Sequence, residues 1–351
     1  MRRIPNMNIT KQEFTLPSTD GVHTLACCMW TPDIPVRGVI HVVHGMVEHI
    51  GRYEYFARKM AERGYCVCGD DHLGHGKTAA DPSEYGYFGE KDGYLHLVRD
   101  EEVLRRHMRT VYRHAPYIML GHSMGSFIAR AYAVQPSEDY RARDRKEDDE
   151  IPRLGHGLDG LIICGTAGKQ SHLSLGMTLC RAVASLRGKK YRSRLIERLA
   201  GGAFQTEFSD EKDAPHSWLC KDIAVRQAYA NDPMCQFSFT VGGYLDLFTL
   251  LRSVTGAEWA SKIPKSLPIL VIAGEDDPVG NSGKGPREVY SLLEEAEVNE
   301  LHIHMYENCR HEILNEPEKD TVISDIADFC ASVTDGVAAA EGASDGTLPR
   351  D

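Results

Sequence analysis

The stretch Tyr117–Ala131, YIMLGHSMGSFIARA, constrains the fold more tightly than any other part of the chain. It reads as a short apolar strand, Tyr117–Leu120, a turn Gly121-His122-Ser123-Met124-Gly125, and a helix of small and apolar residues. A serine between two glycines at this spacing, on a strand-to-helix turn, is the G-x-S-x-G nucleophile elbow. Such a turn forces its central residue into strained backbone angles and lifts that side chain clear of the sheet. The glycines lack a Cβ, so strand and helix can approach closely on either side of the serine. The pentapeptide alone is common, and its bland reading is a glycine-rich turn carrying a solvated serine. The strand before it and the helix after it make Ser123 the candidate nucleophile.

A chain of 351 residues suits one large domain or two modest ones. Its net charge of −11 disfavours nucleic acid as a partner, since phosphate binding wants a basic surface. No stretch approaches the length of a membrane-spanning helix. The opening MRRIPNMNIT has two arginines but no apolar run behind them, which does not read as a signal peptide. Ten cysteines without an export signal therefore predict reduced thiols in a cytoplasmic protein. Cys66 and Cys68 alternate in the strand YCVCGD, with no second pair to complete a zinc site.

Glu13–Ser18 and Thr24–Thr31 read as an opening hairpin around Asp20-Gly21. RGVIHVVH, Arg37–His44, is a strand buried on both faces, followed by a helix over Tyr53–Arg63 that Gly64 closes. Tyr65–Gly69 is the next strand and leads into the loop DDHLGHGKT. A long amphipathic helix, Tyr94–His114, stops at Pro116 before the elbow. Leu158–Gly165, Pro268–Ala273 and Leu301–Tyr306 are further strands, with helices at Gly285–Ala296 and Thr321–Val333. Strands alternating with helices argue for a mostly parallel sheet covered on both faces.

Three segments break that alternation. Residues 137–157 are dense in mixed charge and read as a solvated surface insertion. Residues 166–239 are helical without a clear buried strand, an insertion over one end of the sheet. Within it, Met177–Leu199 carries Arg181, Arg187, Lys189, Lys190, Arg192, Arg194 and Arg198 against a single acid, Glu197. A basic amphipathic helix can lie on anionic lipid, whereas the plainer reading is a helix with a solvated basic face. Residues 334–351 are small and polar and read as a disordered tail. Residues 1–165 and 240–333 would then form the core.

A serine hydroxyl is a poor nucleophile until a base takes its proton and a third group orients that base. In the α/β-hydrolase arrangement the partners follow in the order Ser, acid, His, each on a loop after a late strand. An acidic cluster follows PILVIA and His311 follows LHIHMY, so both loops are present. An oxyanion needs pre-set donors. The backbone N–H of Met124 is one candidate and that of Met46, in the loop after RGVIHVVH, is the other.

The motifs HGMVEHIGRYEYFARKMAERGY, DDHLGHGKT, GHSMG, GEDDPVG and RHEILNE, in this order, resemble the monoacylglycerol lipase and lysophospholipase-like branch of the α/β-hydrolases, also described as serine aminopeptidase-type. The resemblance covers roughly Phe14–Val333 and is weak between Thr166 and Phe239. It implies an α/β fold with a helical cap inserted after the sixth strand and esters of long acyl chains as substrates. It also implies Asp277 as the acid, with Asp276 the alternative, His311 as the base and Met46 in the oxyanion loop. Two departures stand out: the insertion at 137–157 is longer than the family pattern, and the cap sequence diverges.

The remaining histidines read as structural. His44 and Glu48 have three residues between them where the inverted zinc motif needs two, and HEILN ends in Asn315 where a zinc protease motif needs histidine. His49, Arg52 and Tyr53 read as braces of the oxyanion loop, His72 and His75 as ties within their own loop, and His122 as packing. The expectation is a serine hydrolase using Ser123, Asp277 and His311, with no metal or organic cofactor and a small acyl ester as substrate. A peptidase or acyl-thioesterase on the same residues, and a non-catalytic binding module, are the alternatives. A peptidase would need an acid in the cap for the substrate's ammonium, for which Glu207, Asp210, Glu211 and Asp213 are available.

Overall fold

Strands that are apolar on both faces form the middle of the sheet, because a strand covered by helices on both sides has no face to leave wet. The computed structural model describes residues 8–136, 153–206, 208 and 215–345. Eight strands lie in the order β1-β2-β4-β3-β5-β6-β7-β8. The hairpin of β1 (Ile9–Pro17) and β2 (Thr24–Pro32) is antiparallel, and β2 also runs antiparallel to β4 (Tyr65–Asp71). From β4 onward, β3 (Gly38–Val43), β5 (Tyr117–His122), β6 (Gly160–Cys164), β7 (Ile269–Gly274) and β8 (Leu301–Tyr306) pair in parallel. Every residue of β3 to β7 is buried, whereas β1 and β8, at the two edges, alternate with exposed positions. The mostly parallel sheet read from the sequence is the one observed.

Side chains alternate across each strand and so feed two cores. Ile40, Val42, Ile118 and Leu120 pack with α1 (Glu54–Ala61) and α10 (Lys319–Asp345) through Phe56, Met60, Ile323 and Ile326. On the other face Val39, Val43, Met119 and Leu161 belong to one core with α2 (Gly93–Val111), α3 (Met124–Val134) and α9 (Lys284–Glu295) through Leu104, Met108, Ile128, Tyr132 and Val289. Each such side chain contributes about 1.5–3 kcal/mol on burial. All ten cysteines are free and buried. Among the described residues no helix is long and apolar enough to cross a membrane.

Between β6 and β7 the chain runs through α4 (Leu173–Arg187), α5 (Arg194–Thr206), α6 (Ile223–Asn231), α7 (Val241–Ser253) and α8 (Ala257–Ala260). The basic stretch Met177–Leu199 is two helices rather than one. It breaks at Gly188, whose φ of +82° favours glycine, and the residues after it are pulled into a neighbouring loop. Lys189 donates to the carbonyl of Glu90, and Arg192 donates to those of Ser238 and Tyr85. Lys190 lies over the Tyr87 ring at 4.9 Å. The helices also continue past Phe239, since α7 packs on α4.

Residues 137–152, like Glu207, Asp210, Glu211 and Asp213, lie outside the described residues. Of the charged insertion, Arg153 bridges to Pro136 and Leu154 is buried. The tail departs from expectation: α10 continues to Asp345 instead of ending at Val333. The run Val337–Ala340 is rich in alanine, the strongest helix former, so the last buried turn propagates outward without needing contacts of its own. Beyond Gly336, Val337 is half-buried and Ala338, Ala339 and Ala340 are exposed, so a chain ending at Gly336 loses little packing there. Deleting everything after Gly336 is expected to change unfolding free energy by no more than about 0.5 kcal/mol in denaturant titrations, while far-ultraviolet circular dichroism records the lost helix.

Candidate active site

Ser123 lies between the end of β5 and the start of α3, with φ +54° and ψ −119°, a conformation that L residues rarely adopt. Its N–H is held by the Cys164 carbonyl at 3.0 Å. The turn is this tight because glycine permits it. A Cβ on Gly125 would stand 2.0 Å from the Val43 carbonyl oxygen, and one on Gly121 would stand 2.4 Å from that of Gly125. From the loop after β8, His311 Nε2 comes within 2.9 Å of Ser123 Oγ. Its Nδ1 lies 3.0 Å from each carboxylate oxygen of Asp277, which follows β7 and is fully buried. Asp277 also accepts the Val279 N–H at 2.9 Å. Asp276, the alternative acid, is exposed instead.

Of the two candidate oxyanion donors, Met124 follows Ser123 in the chain and Met46 follows Gly45, which lies beside it. Met124 is the first residue of α3, so its N–H has no acceptor within the helix. The loop carrying Met46 passes beside Ser123: a Cβ at Gly45 would lie 3.1 Å from Ser123 Cβ. Val47 has φ +58°, a rare angle for a β-branched residue.

A buried ionic network holds that loop. Glu48 accepts hydrogen bonds from the Gly45 N–H, the Tyr53 hydroxyl and Arg52, and lies 3.2 Å from His122 Nδ1. Arg52 makes a bidentate pair with Glu312 at 2.6 and 2.7 Å. His122 Nε2 faces the His311 carbonyl at 3.3 Å, so the network reaches the backbone of the histidine beside Ser123. Burial opposes charge on Glu48, but His122 and Arg52 overcome it and hold the carboxyl well below the usual range. Burial likewise opposes charge on Glu312, and Arg52 lowers it nonetheless. The His122 ring is shifted up against its own burial by Glu48.

The segment between β6 and β7 closes over these residues. The Trp218 ring lies 5.3 Å from that of His311, and the Glu312 N–H donates to the Leu219 carbonyl at 2.7 Å. His49 Nε2 lies 2.8 Å from Asp232, and Arg52 stacks over Tyr229 at 4.8 Å. His49, Arg52 and Tyr53 thus contact the oxyanion loop or the segment above it, while His72 stacks on His44 and bonds its backbone. Sequence reasoning missed the pairing of Arg52 with Glu312, although Glu312 directly follows His311. It also missed Trp218, which carries no motif.

Among the described residues two groups of side chains bring possible metal donors together, His49 with Asp232 and Cys235, and His41 with Asp70 and Glu101. The zinc motifs that the sequence lacks are linear ones; both of these groups come from separate elements.

The profile of the serine aminopeptidase family, S33, matches residues 34–318. Rat monoglyceride lipase is 34% identical over 316 residues, 88% of this chain and 86% of that protein. A monoacylglycerol lipase of Mycolicibacterium smegmatis is 26% identical over 92% of this chain and 98% of its own. The crystal structure of a thermostable carboxyl esterase from Bacillus coagulans superposes with a TM-score of 0.81 at 33% identity, covering 93% of this chain and 99% of the esterase.

Replacing Glu312 by Gln leaves Arg52 buried with one carboxylate fewer and is expected to cost about 3–5 kcal/mol at neutral pH. A carboxyl whose folded value is depressed stabilises the protein above its ordinary value of 4.5 and loses that contribution as pH falls through the folded value. The gap between wild type and Glu312→Gln in denaturant titrations should therefore be widest at neutral pH and narrow below 4.5.

Proposed function

The chain belongs to the serine aminopeptidase S33 family of α/β-hydrolases, and on that premise we propose that it is a serine ester hydrolase of the monoacylglycerol lipase type, cleaving esters of medium or long acyl chains. The observation that carries this reading is the unbroken line of hydrogen-bonding groups from Asp277 through His311 to Ser123 Oγ. It is supported by the ester-cleaving relatives, which match this chain over nearly its whole length.

Ser123 Oγ attacks the ester carbonyl carbon while His311 Nε2 takes its proton, and Asp277 stabilises the imidazolium through Nδ1. The N–H groups of Met46 and Met124 hold the oxyanion as it forms. His311 returns the proton to the departing alcohol, leaving an acyl group on Ser123. Water activated by His311 then releases the acid and restores the serine. The helices between β6 and β7 act as a cap over the acyl chain, with Trp218 against His311 excluding water.

The outer face of the cap contacts lipid surfaces. Leu175, Leu186, Leu195 and Leu199 are 70, 82, 59 and 66% exposed, and Arg181, Arg194 and Arg198 are exposed on the same two helices. Leucines interleaved with arginines suit an anionic interface, where apolar insertion and charge attraction add.

Ser123→Ala is expected to lower turnover of p-nitrophenyl esters by at least about a thousand-fold with circular dichroism unchanged, and substantial residual turnover would sink the assignment. Across acyl lengths from acetyl to palmitoyl the rate should peak at medium or long chains. Activity confined to acetyl and butyryl esters, or to aminoacyl anilides, would point to a short-chain esterase or a peptidase. Turnover should be faster on anionic than on neutral mixed micelles, and equal rates would remove the lipid-facing cap.

A further inference from the structure

We propose that His41, Asp70 and Glu101 form a closed structural site for a divalent metal ion of the zinc class, with His72 as its fourth ligand. His41 is on β3, Asp70 near the end of β4, His72 just beyond it, and Glu101 on α2. His41, Asp70 and Glu101 have no solvent exposure, and His72 has 1%. One donor atom from each of the first three lies within 4.8 Å of the others.

The second observation is chemical. His41 Nε2, both oxygens of Asp70 and both oxygens of Glu101 are buried without a hydrogen-bond partner among the described residues. His41 Nε2 and Glu101 Oε2 are 2.8 Å apart, yet they lack the alignment of a hydrogen bond. Polar atoms removed from water are almost always paired, and an unpartnered buried carboxylate costs several kcal/mol. Two carboxylates side by side add mutual repulsion. A divalent ion cancels both charges and gives His41 Nε2 and one oxygen of each carboxylate a partner.

The separations around His72 suit the ion, while the 2.8 Å between His41 Nε2 and Glu101 Oε2 must open by about 0.5 Å to admit it. Zinc bonds of about 2.0–2.1 Å in a tetrahedron place neighbouring donor atoms roughly 3.3–3.4 Å apart. His72 Nδ1 lies 3.3 Å from Glu101 Oε1 and 3.5 Å from Asp70 Oδ2. A histidine that binds metal through one nitrogen has the other held by a fixed partner, which sets its tautomer and orientation. Both rings meet this condition: His41 Nδ1 is 2.9 Å from the Tyr117 hydroxyl, and His72 Nε2 is 3.1 Å from the His44 carbonyl. Two imidazoles and two carboxylates are a donor set that zinc accepts, with manganese and ferrous iron as competitors. With four protein ligands and no route to solvent the site is structural, and through His72 it clamps β4 to His44, immediately before the oxyanion loop.

The test begins with the full chain purified from cells supplemented with zinc, manganese and iron. Elemental analysis by plasma mass spectrometry is expected to find about one such ion per chain, released only when the protein is unfolded in guanidinium with a chelator. Growth with cobalt should give visible ligand-field bands without thiolate charge transfer. Thiolate bands would place the ion at Cys235 with His49 and Asp232, and would overturn the assignment. The ion should persist in Cys235→Ser and fall at least about tenfold in Glu101→Gln. Wild-type protein holding less than about a tenth of an ion per chain, or a folded Glu101→Gln that keeps its ion, refutes the site.

Discussion

A charge that leaves water must be met by an opposite charge or by donors, and the interior of this protein is arranged around one such obligation. Glu48 carries its carboxylate behind the loop that follows β3, where the Gly45 N–H, Tyr53, His122 and Arg52 all converge on it. Each partner belongs to a different part of the site. Gly45 opens the loop after β3, His122 precedes Ser123, and Arg52 brings Glu312 and with it the loop of His311. The position of Gly45 beside Ser123 is therefore tied to this one carboxylate.

The same residues fasten the helical segment to the sheet. Arg52 presents one side of its guanidinium to Glu312 and stacks on Tyr229, and His49 next to Glu48 reaches Asp232. Glu312 completes the arrangement from the other direction by donating its N–H to Leu219. Segment, oxyanion loop and histidine loop thus share partners, which makes their positions mutually dependent. Individually these bonds are modest, yet a buried pair that loses one member leaves an unpaired charge behind.

Much of this was legible in the sequence, for identifiable reasons. Strands such as Pro268–Ala273 announce themselves because burial on both faces forbids polar residues. The turn at Ser123 does so because its glycines answer a steric demand that another residue cannot meet. His311 was placed by order along the chain. What sequence could not convey was pairing over long separations: nothing near Arg52 names Glu312 as its partner, and nothing in the helical segment marks Trp218. The break at Gly188 was hidden because the lysines and arginines around it suit a helix locally, while their partners, Glu90, Tyr85 and Ser238, are supplied by distant loops. The extension of α10 was misread from composition, since small residues look like a tail although alanine favours helix.

The serine and the histidine that face each other are 188 positions apart, and Arg52 and Glu312 are 260 apart. Contacts of such separation carry the largest loop-closure entropy and reward folding late. Ser123 belongs to the centre of the sheet, but its partner arrives only when the edge strand β8 has docked and the chain is almost all in place. On the mechanism proposed above, Ser123 therefore remains an unactivated alcohol for most of the chain's synthesis. On that mechanism turnover would report completion of the fold, and a chain that stops short of β8 would be inert whatever else it has assembled.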